Sequence, residues 1–90
     1  MATSYTARHR ALLLAVAQGR AQLAAGGAPD LTVDGRWCDH VAIAELLADG
    51  LLRPAAEARP GVLVPAVLTD LGRAVLRSLI APARQSARAA

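Results

Sequence analysis

The sequence predicts a small α+β domain that runs helix, hairpin, helix, two-stranded ribbon, helix, and three observations carry that prediction. At 90 residues the chain holds one domain with a single small core and is too short for two. Within 39–72 a helical segment ends in Ala48-Asp49-Gly50-Leu51-Leu52, a hairpin punctuated by Pro and Gly follows, and Leu68-Thr69-Asp70-Leu71-Gly72 opens another helix. Upstream, Gly26-Gly27 and Pro29-Asp30 interrupt any helix, and Leu31-Thr32-Val33 has the composition of a strand.

The first helix starts near Ser4 or Thr6, either of which can cap free backbone N–H groups. It stops at Gly19, whose missing Cβ suits a left-handed C-terminal position. Leu12, Leu13 and Val16 form its buried stripe, and Arg8 and Arg10 read as solvated charge near its start. Arg8-His9-Arg10 ahead of the apolar run 11–17 imitates a signal peptide, but the run is at the bottom of the length range and reads as a core helix. From Gly19 to Arg36 the chain reads as strand, loop, strand, closed by a turn at Asp34-Gly35.

The next helix begins at Arg36 or Trp37 and ends at Asp49, with Gly50 as its stop; a later start with Asp39 as N-cap is the alternative. Residues 51–56 and 62–68 form the arms of a ribbon with 57–61 at its tip, and Pro54 and Pro65 fit if both strands present an edge. Thr69 caps the last helix, Asp70 suits its first turn, and Leu71, Val75, Leu76 and Leu79 give it a buried face. Pro82 ends it, so the domain spans 1–82 and a basic tail with Arg84 and Arg88 occupies 83–90.

Composition narrows the class further. Hydrophobic residues make up 54% of the chain, yet Tyr5 and Trp37 are the sole aromatics, so the core is built from Leu, Val and Ile and is thin enough for dimerisation to help it. The net charge of +3 permits an acidic partner such as nucleic acid without demanding one. All ten basic residues are arginines, which a GC-rich coding bias toward Ala, Arg, Gly and Pro explains without selection for phosphate contacts. Cys38 stands alone, which excludes an internal disulfide and a CxxC pair and fits a reducing, cytoplasmic setting. No apolar run approaches the length of a membrane span.

Leu46-Leu47-Ala48-Asp49-Gly50-Leu51-Leu52 and Val67-Leu68-Thr69-Asp70-Leu71-Gly72-Arg73 resemble the recognition-helix end and the post-wing helix of MarR-type winged-helix regulators. The resemblance covers roughly the C-terminal half. It implies a winged helix-turn-helix fold in which the helix before Gly50 enters the major groove, the ribbon is a wing whose basic residues touch phosphate, and the last helix supports dimerisation. By position, Arg53 and Arg59 match the basic wing. The departure lies at 19–36, where most helix-turn-helix proteins carry a supporting helix and this chain reads as a Gly-rich hairpin.

Winding 37–50 at about 100° per residue puts Ala42, Ile43, Leu46 and Leu47 on a core-facing side and Trp37, Val41, Ala44 and Ala48 on the opposite side, with Glu45 and Cys38 beside them. Base readers such as Arg, Asn or Gln are expected on that second face, and it offers Val, Ala and a carboxylate. Trp37 reads as a buried anchor at the helix start. A helix apolar on both sides is buried on both, so either the preceding hairpin or a partner covers the second face.

Arg36 and His40 are the polar residues at the helix start that can touch a ligand, Arg36 through a guanine edge or a phosphate. Cys38, Asp39 and His40 do not share one helical face, which argues against metal binding and thiol catalysis. No phosphate-binding Gly loop, nucleophile elbow or separated Ser, His and acid set is present, so catalytic residues, cofactor and metal are all expected to be absent. The leading expectation is a small regulator, as a homodimer, that grips duplex DNA through Arg36, His40, Arg53 and Arg59. The alternative is a protein-interaction module, such as a mobile-element-encoded inhibitor or adaptor, that docks through Trp37, Val41, Ala44 and Ala48.

Overall fold

The computed structural model describes the backbone of residues 5–89 and the side-chain surroundings of residues 5–80; Ser4, one of the two expected helix starts, and the side chains of Arg84 and Arg88 lie outside them. In chain order the elements are α1 (Ala7–Ala17), β1 (Ala21–Ala24), β2 (Leu31–Val33), β3 (Arg36–Trp37), α2 (His40–Ala48), β4 (Leu52–Pro54), β5 (Leu63–Leu68) and α3 (Asp70–Ala89). The strands form one antiparallel sheet in the order β3-β2-β1-β5-β4, so the molecule is a small α+β domain as expected.

Local chemistry sets each boundary of α1. The Thr6 hydroxyl accepts the His9 N–H at 3.3 Å, and the Thr6 N–H returns a hydrogen bond to His9 Nδ1 at 2.9 Å, which is a capping box with histidine in the place of the usual Glu or Gln. At the far end Gly19 takes φ +77°, and the N–H groups of Gly19 and Arg20 close onto the carbonyls of Val16 and Ala15.

The strand expected after Gly19 is present, but the hairpin continues one strand further. Asp34 and Gly35 both have positive φ, the geometry of a two-residue primed turn, and the turn folds Arg36 and Trp37 back onto Val33 and Thr32. That pairing engages the backbone of 36–37 in the sheet, so the expected helix start at Arg36 or Trp37 is corrected to His40. Asp39 is the N-cap, its carboxylate accepting the Val41 N–H at 2.9 Å. The same register corrects the expected burial of Trp37. It sits opposite Thr32 on the sheet face turned away from Leu23 and Leu31, and it is 65% exposed.

The ribbon arms form as expected, yet the ribbon is not free. β5 pairs with β1 as well as with β4, so only β4 presents an edge. The ladder runs on through Ala25 N–H to Val62 O and Gly61 N–H to Ala25 O, both 2.9 Å, tying the tip to the β1–β2 loop. Pro65 is tolerated at the end of β4, where Ala55 N–H donates to the Pro65 carbonyl at 2.8 Å and only the return bond is lost.

Thr69 caps α3 and anchors it: its hydroxyl accepts the Gly72 N–H at 2.9 Å and donates to the Gly50 carbonyl at 2.6 Å. A Cβ on Gly72 would lie 2.1 Å from the Leu51 carbonyl oxygen, so only glycine allows this helix to seat against the start of β4. Gly72 and Leu76 therefore take the inward positions, Val75 and Leu79 are half-buried, and Leu71, expected inside, is exposed. The expected stop at Pro82 is also corrected. α3 continues to Ala89, because a proline at that point removes one backbone bond, to the carbonyl of residue 78, without forbidding helical φ.

Leu13, Leu23, Leu31, Ile43, Leu46 and Leu51 are fully buried and join α1, the sheet and α2 in one core, with Leu76 of α3 at its margin. The helices thus cover one sheet face. Among the described residues no helix is long and apolar enough to cross a membrane.

Candidate nucleic-acid interface

α2 connects the two edges of the sheet, following β3 and leading into β4. Its inward residues are those expected: Ala42, Ile43 and Leu46 are buried and Leu47 is half-buried. Its C-terminus closes through Gly50 at φ +73°, with the Gly50 and Leu51 N–H groups bonded to the carbonyls of Leu47 and Leu46. Leu51 is thereby drawn into the core, which fixes both the depth and the rotation of the helix.

On the outward side Val41 is 66% exposed, and Ala44 and Ala48 are exposed with it. The expected stripe of Trp37, Val41, Ala44 and Ala48 is therefore divided, since Trp37 belongs to β3 and faces outward from the sheet. The 20–37 segment lies within the sheet and does not cover α2, so of the two expected covers the hairpin is excluded.

Three polar contacts hold α2 against the start of α1. Tyr5 Oη donates to Asp49 Oδ2 at 2.8 Å, His9 Nε2 meets Glu45 Oε1 at 2.8 Å, and Arg8 pairs with Asp39. Because His9 Nδ1 accepts the Thr6 N–H, the ring proton sits on Nε2 and is donated to Glu45. His9 is buried, with Tyr5 edge-on to its ring at 5.5 Å. Every carboxylate on α2 and its two caps is consequently turned toward α1. The Val41 N–H, and then Arg8, hold the Asp39 carboxyl below the usual carboxylate range. Between the two helix starts lies a cleft of about 400 Å³ lined by Thr6, Arg8, His9, Asp39, Val41 and Glu45.

The same pattern extends over the molecule. Asp34 takes a two-toothed hydrogen bond from Arg20, which lowers its carboxyl and raises the guanidinium, and Asp30 pairs with His40, and Asp70 with Arg73. Six of the seven carboxylates thus have an intramolecular partner, and Glu57 at the ribbon tip has none among the described residues. Arg36, Arg53 and Arg59 are exposed and have no carboxylate partner among the described residues.

These arginines bracket α2 and do not cluster. Arg36 lies on the edge strand that feeds α2, Arg53 on the opposite edge strand that leaves it, four strand spacings or about 19 Å away, and Arg59 at the ribbon tip. His40 is engaged by Asp30 and is not an unencumbered ligand. Cys38, Asp39 and His40 diverge: the thiol points to the Arg36 carbonyl at 3.7 Å, Asp39 to Arg8, His40 to Asp30. Burial pushes the Cys38 thiol up, away from the reactive thiolate. Among the described residues no three His, Cys, Asp or Glu side chains are grouped to hold a metal ion.

Sequence reasoning missed the α1 contacts. Thr6 followed three residues later by His9 is a readable variant of the capping box, but Tyr5–Asp49, Arg8–Asp39 and His9–Glu45 join residues 44, 31 and 36 apart and leave no local signal. No protein-family model, curated protein or solved structure matches the chain.

Proposed function

We propose that this domain is a small DNA-binding regulator of winged-helix type that grips duplex DNA chiefly through its backbone. The order α1, β1, α2, β4, β5, α3, with β1 paired to β5 and β5 to β4, supports that reading, the β2–β3 hairpin standing where a supporting helix is usual. The observation that carries it is the disposition of charge around α2: its carboxylates are drawn to α1, its outer face is open and small, and Arg36, Arg53 and Arg59, which have no carboxylate partner among the described residues, flank it. Val41, Ala44 and Ala48 let a helix approach a groove closely but read no base edge except by contact with a thymine methyl. Phosphate contacts therefore dominate.

The test is duplex affinity across a salt series. Three phosphate contacts give log K a slope of about −2.7 against log salt, and the Arg53→Ala/Arg59→Ala double variant is expected to reduce it to about −0.9. Absence of binding at low salt, or an unchanged slope in the double variant, rejects the proposal. A second reading, docking of a protein partner or a second copy on Val41, Ala44 and Ala48, is favoured by the 66% exposure of Val41. It differs in being insensitive to salt and to the arginine variants.

A further inference from the structure

Apart from Arg53, the residues of the sheet face turned away from the helices have no part in that duplex grip, and they can be read from the register. Trp37, Thr32, Gln22 and Pro65 are successive cross-strand neighbours from β3 to β5, and Ala55 continues the row through its hydrogen bond to Pro65. One residue pair away, Val67 lies opposite Arg53. Extending the β1–β5 register by two residues sets Arg20 beside Val67, and Arg20 is bonded to Asp34. Gln22, Pro65, Arg53 and Trp37 are exposed, whereas Thr32, between Trp37 and Gln22, is buried and Val67 is half-buried.

Its chemistry is uneven in an informative way. An aromatic ring stands open at one edge and a guanidinium without carboxylate partner among the described residues at the other, with small and polar side chains between. The one carboxylate on it, Asp34, is held by Arg20. Thr32 and Gln22 separate Trp37 from Val67, so the face has no continuous apolar core of the kind a protein interface buries. Flat aromatic surface combined with positive charge is the combination that holds unpaired bases, by stacking on the ring and neutralising the strand.

We propose that this outer sheet face binds single-stranded nucleic acid, with a base stacked on Trp37 and the sugar–phosphate chain running across the strands toward Arg53. This surface shares Arg53 with the duplex reading and is separated from it by Trp37, which lies on the sheet and not on the outer side of α2.

Trp37 is the only tryptophan, so its fluorescence reports on this face alone. The experiment titrates the full chain with an oligothymidylate at low salt, following Trp37 emission, and repeats the titration with a labelled oligonucleotide and anisotropy for Trp37→Ala and Trp37→Phe. Saturable quenching that weakens with salt is expected, with affinity about tenfold lower in Trp37→Ala and largely retained in Trp37→Phe. Duplex affinity of Trp37→Ala is expected to equal that of the native chain, which separates the two surfaces. Lack of quenching at low salt, or equal oligonucleotide affinity in Trp37→Ala, overturns the proposal. A blue shift of Trp37 emission on concentrating the protein alone also overturns it, because the face is then taken by a second copy.

Discussion

The side of α2 that faces α1 and the segments that flank α2 are built on opposite electrostatic plans. Toward α1, Asp39 and Glu45 meet side chains from the first turn of the neighbouring helix and Asp49 meets Tyr5 just ahead of it. On the flanks, Arg36, Arg53 and Arg59 meet no carboxylate among the described residues. The contrast teaches that a modest net charge can still be partitioned: among the described residues every carboxylate but Glu57 is engaged by a partner, while Arg36, Arg53 and Arg59 are left without one. The α1 contacts thus do two things, aligning α2 and removing its acids from the face that any polyanion would meet.

The largest expected effect comes from removing the packing that both sides share. Leu46 is fully buried among residues of α1, the sheet and α2, so Leu46→Ala is expected to destabilise the domain by about 2–5 kcal/mol, measured by urea unfolding. A loss well under 1 kcal/mol would mean that α2 is not seated as described.

Next comes the contact between α1 and α2. His9→Ala removes the histidine half of the capping box and the hydrogen bond to Glu45, and a cost of about 1 kcal/mol is expected. If Glu45 is then freed toward the outer face, duplex affinity should fall as well. An unfolding midpoint shift with no change in affinity would separate alignment from charge removal.

The smallest effect is a pH dependence. Asp39 and Asp34 have carboxyls lowered in the folded state, by the Val41 N–H and Arg8 and by Arg20 respectively. A lowered folded pKa contributes stability above the unfolded value, near pH 3.9, and loses it as pH falls through the folded value. Acid unfolding should therefore steepen below about pH 4. Asp39→Asn, which keeps a capping oxygen but cannot titrate, should flatten that slope without much change at pH 7.

Much of this fold is legible in the sequence because it is written locally. Gly19 and Gly50 as helix stops, Thr69 as a cap, Asp34-Gly35 as a turn and the apolar spacing of Ala42, Ile43 and Leu46 all act within a few residues of themselves. What was misread depends on pairing across the chain. Trp37 reads as a buried helix start until β2 claims its backbone, and Leu71 reads as inward until Gly72 is seen to need the close approach to Leu51. Of the candidate site, Arg36, Arg53 and Arg59 are exposed where charge composition suggested, whereas the engagement of His40 by Asp30 was invisible at ten residues' separation.

The most direct test of the partition is to reverse it at one point. Ala44→Glu places a carboxylate on the open face of α2 while preserving good helix propensity, so stability should change by no more than about 0.5 kcal/mol. Duplex affinity measured at low salt should fall by at least about tenfold if that face lies against the phosphate backbone. Unchanged affinity in a stably folded Ala44→Glu variant would show that α2 does not meet DNA and would contradict the assignment of this face.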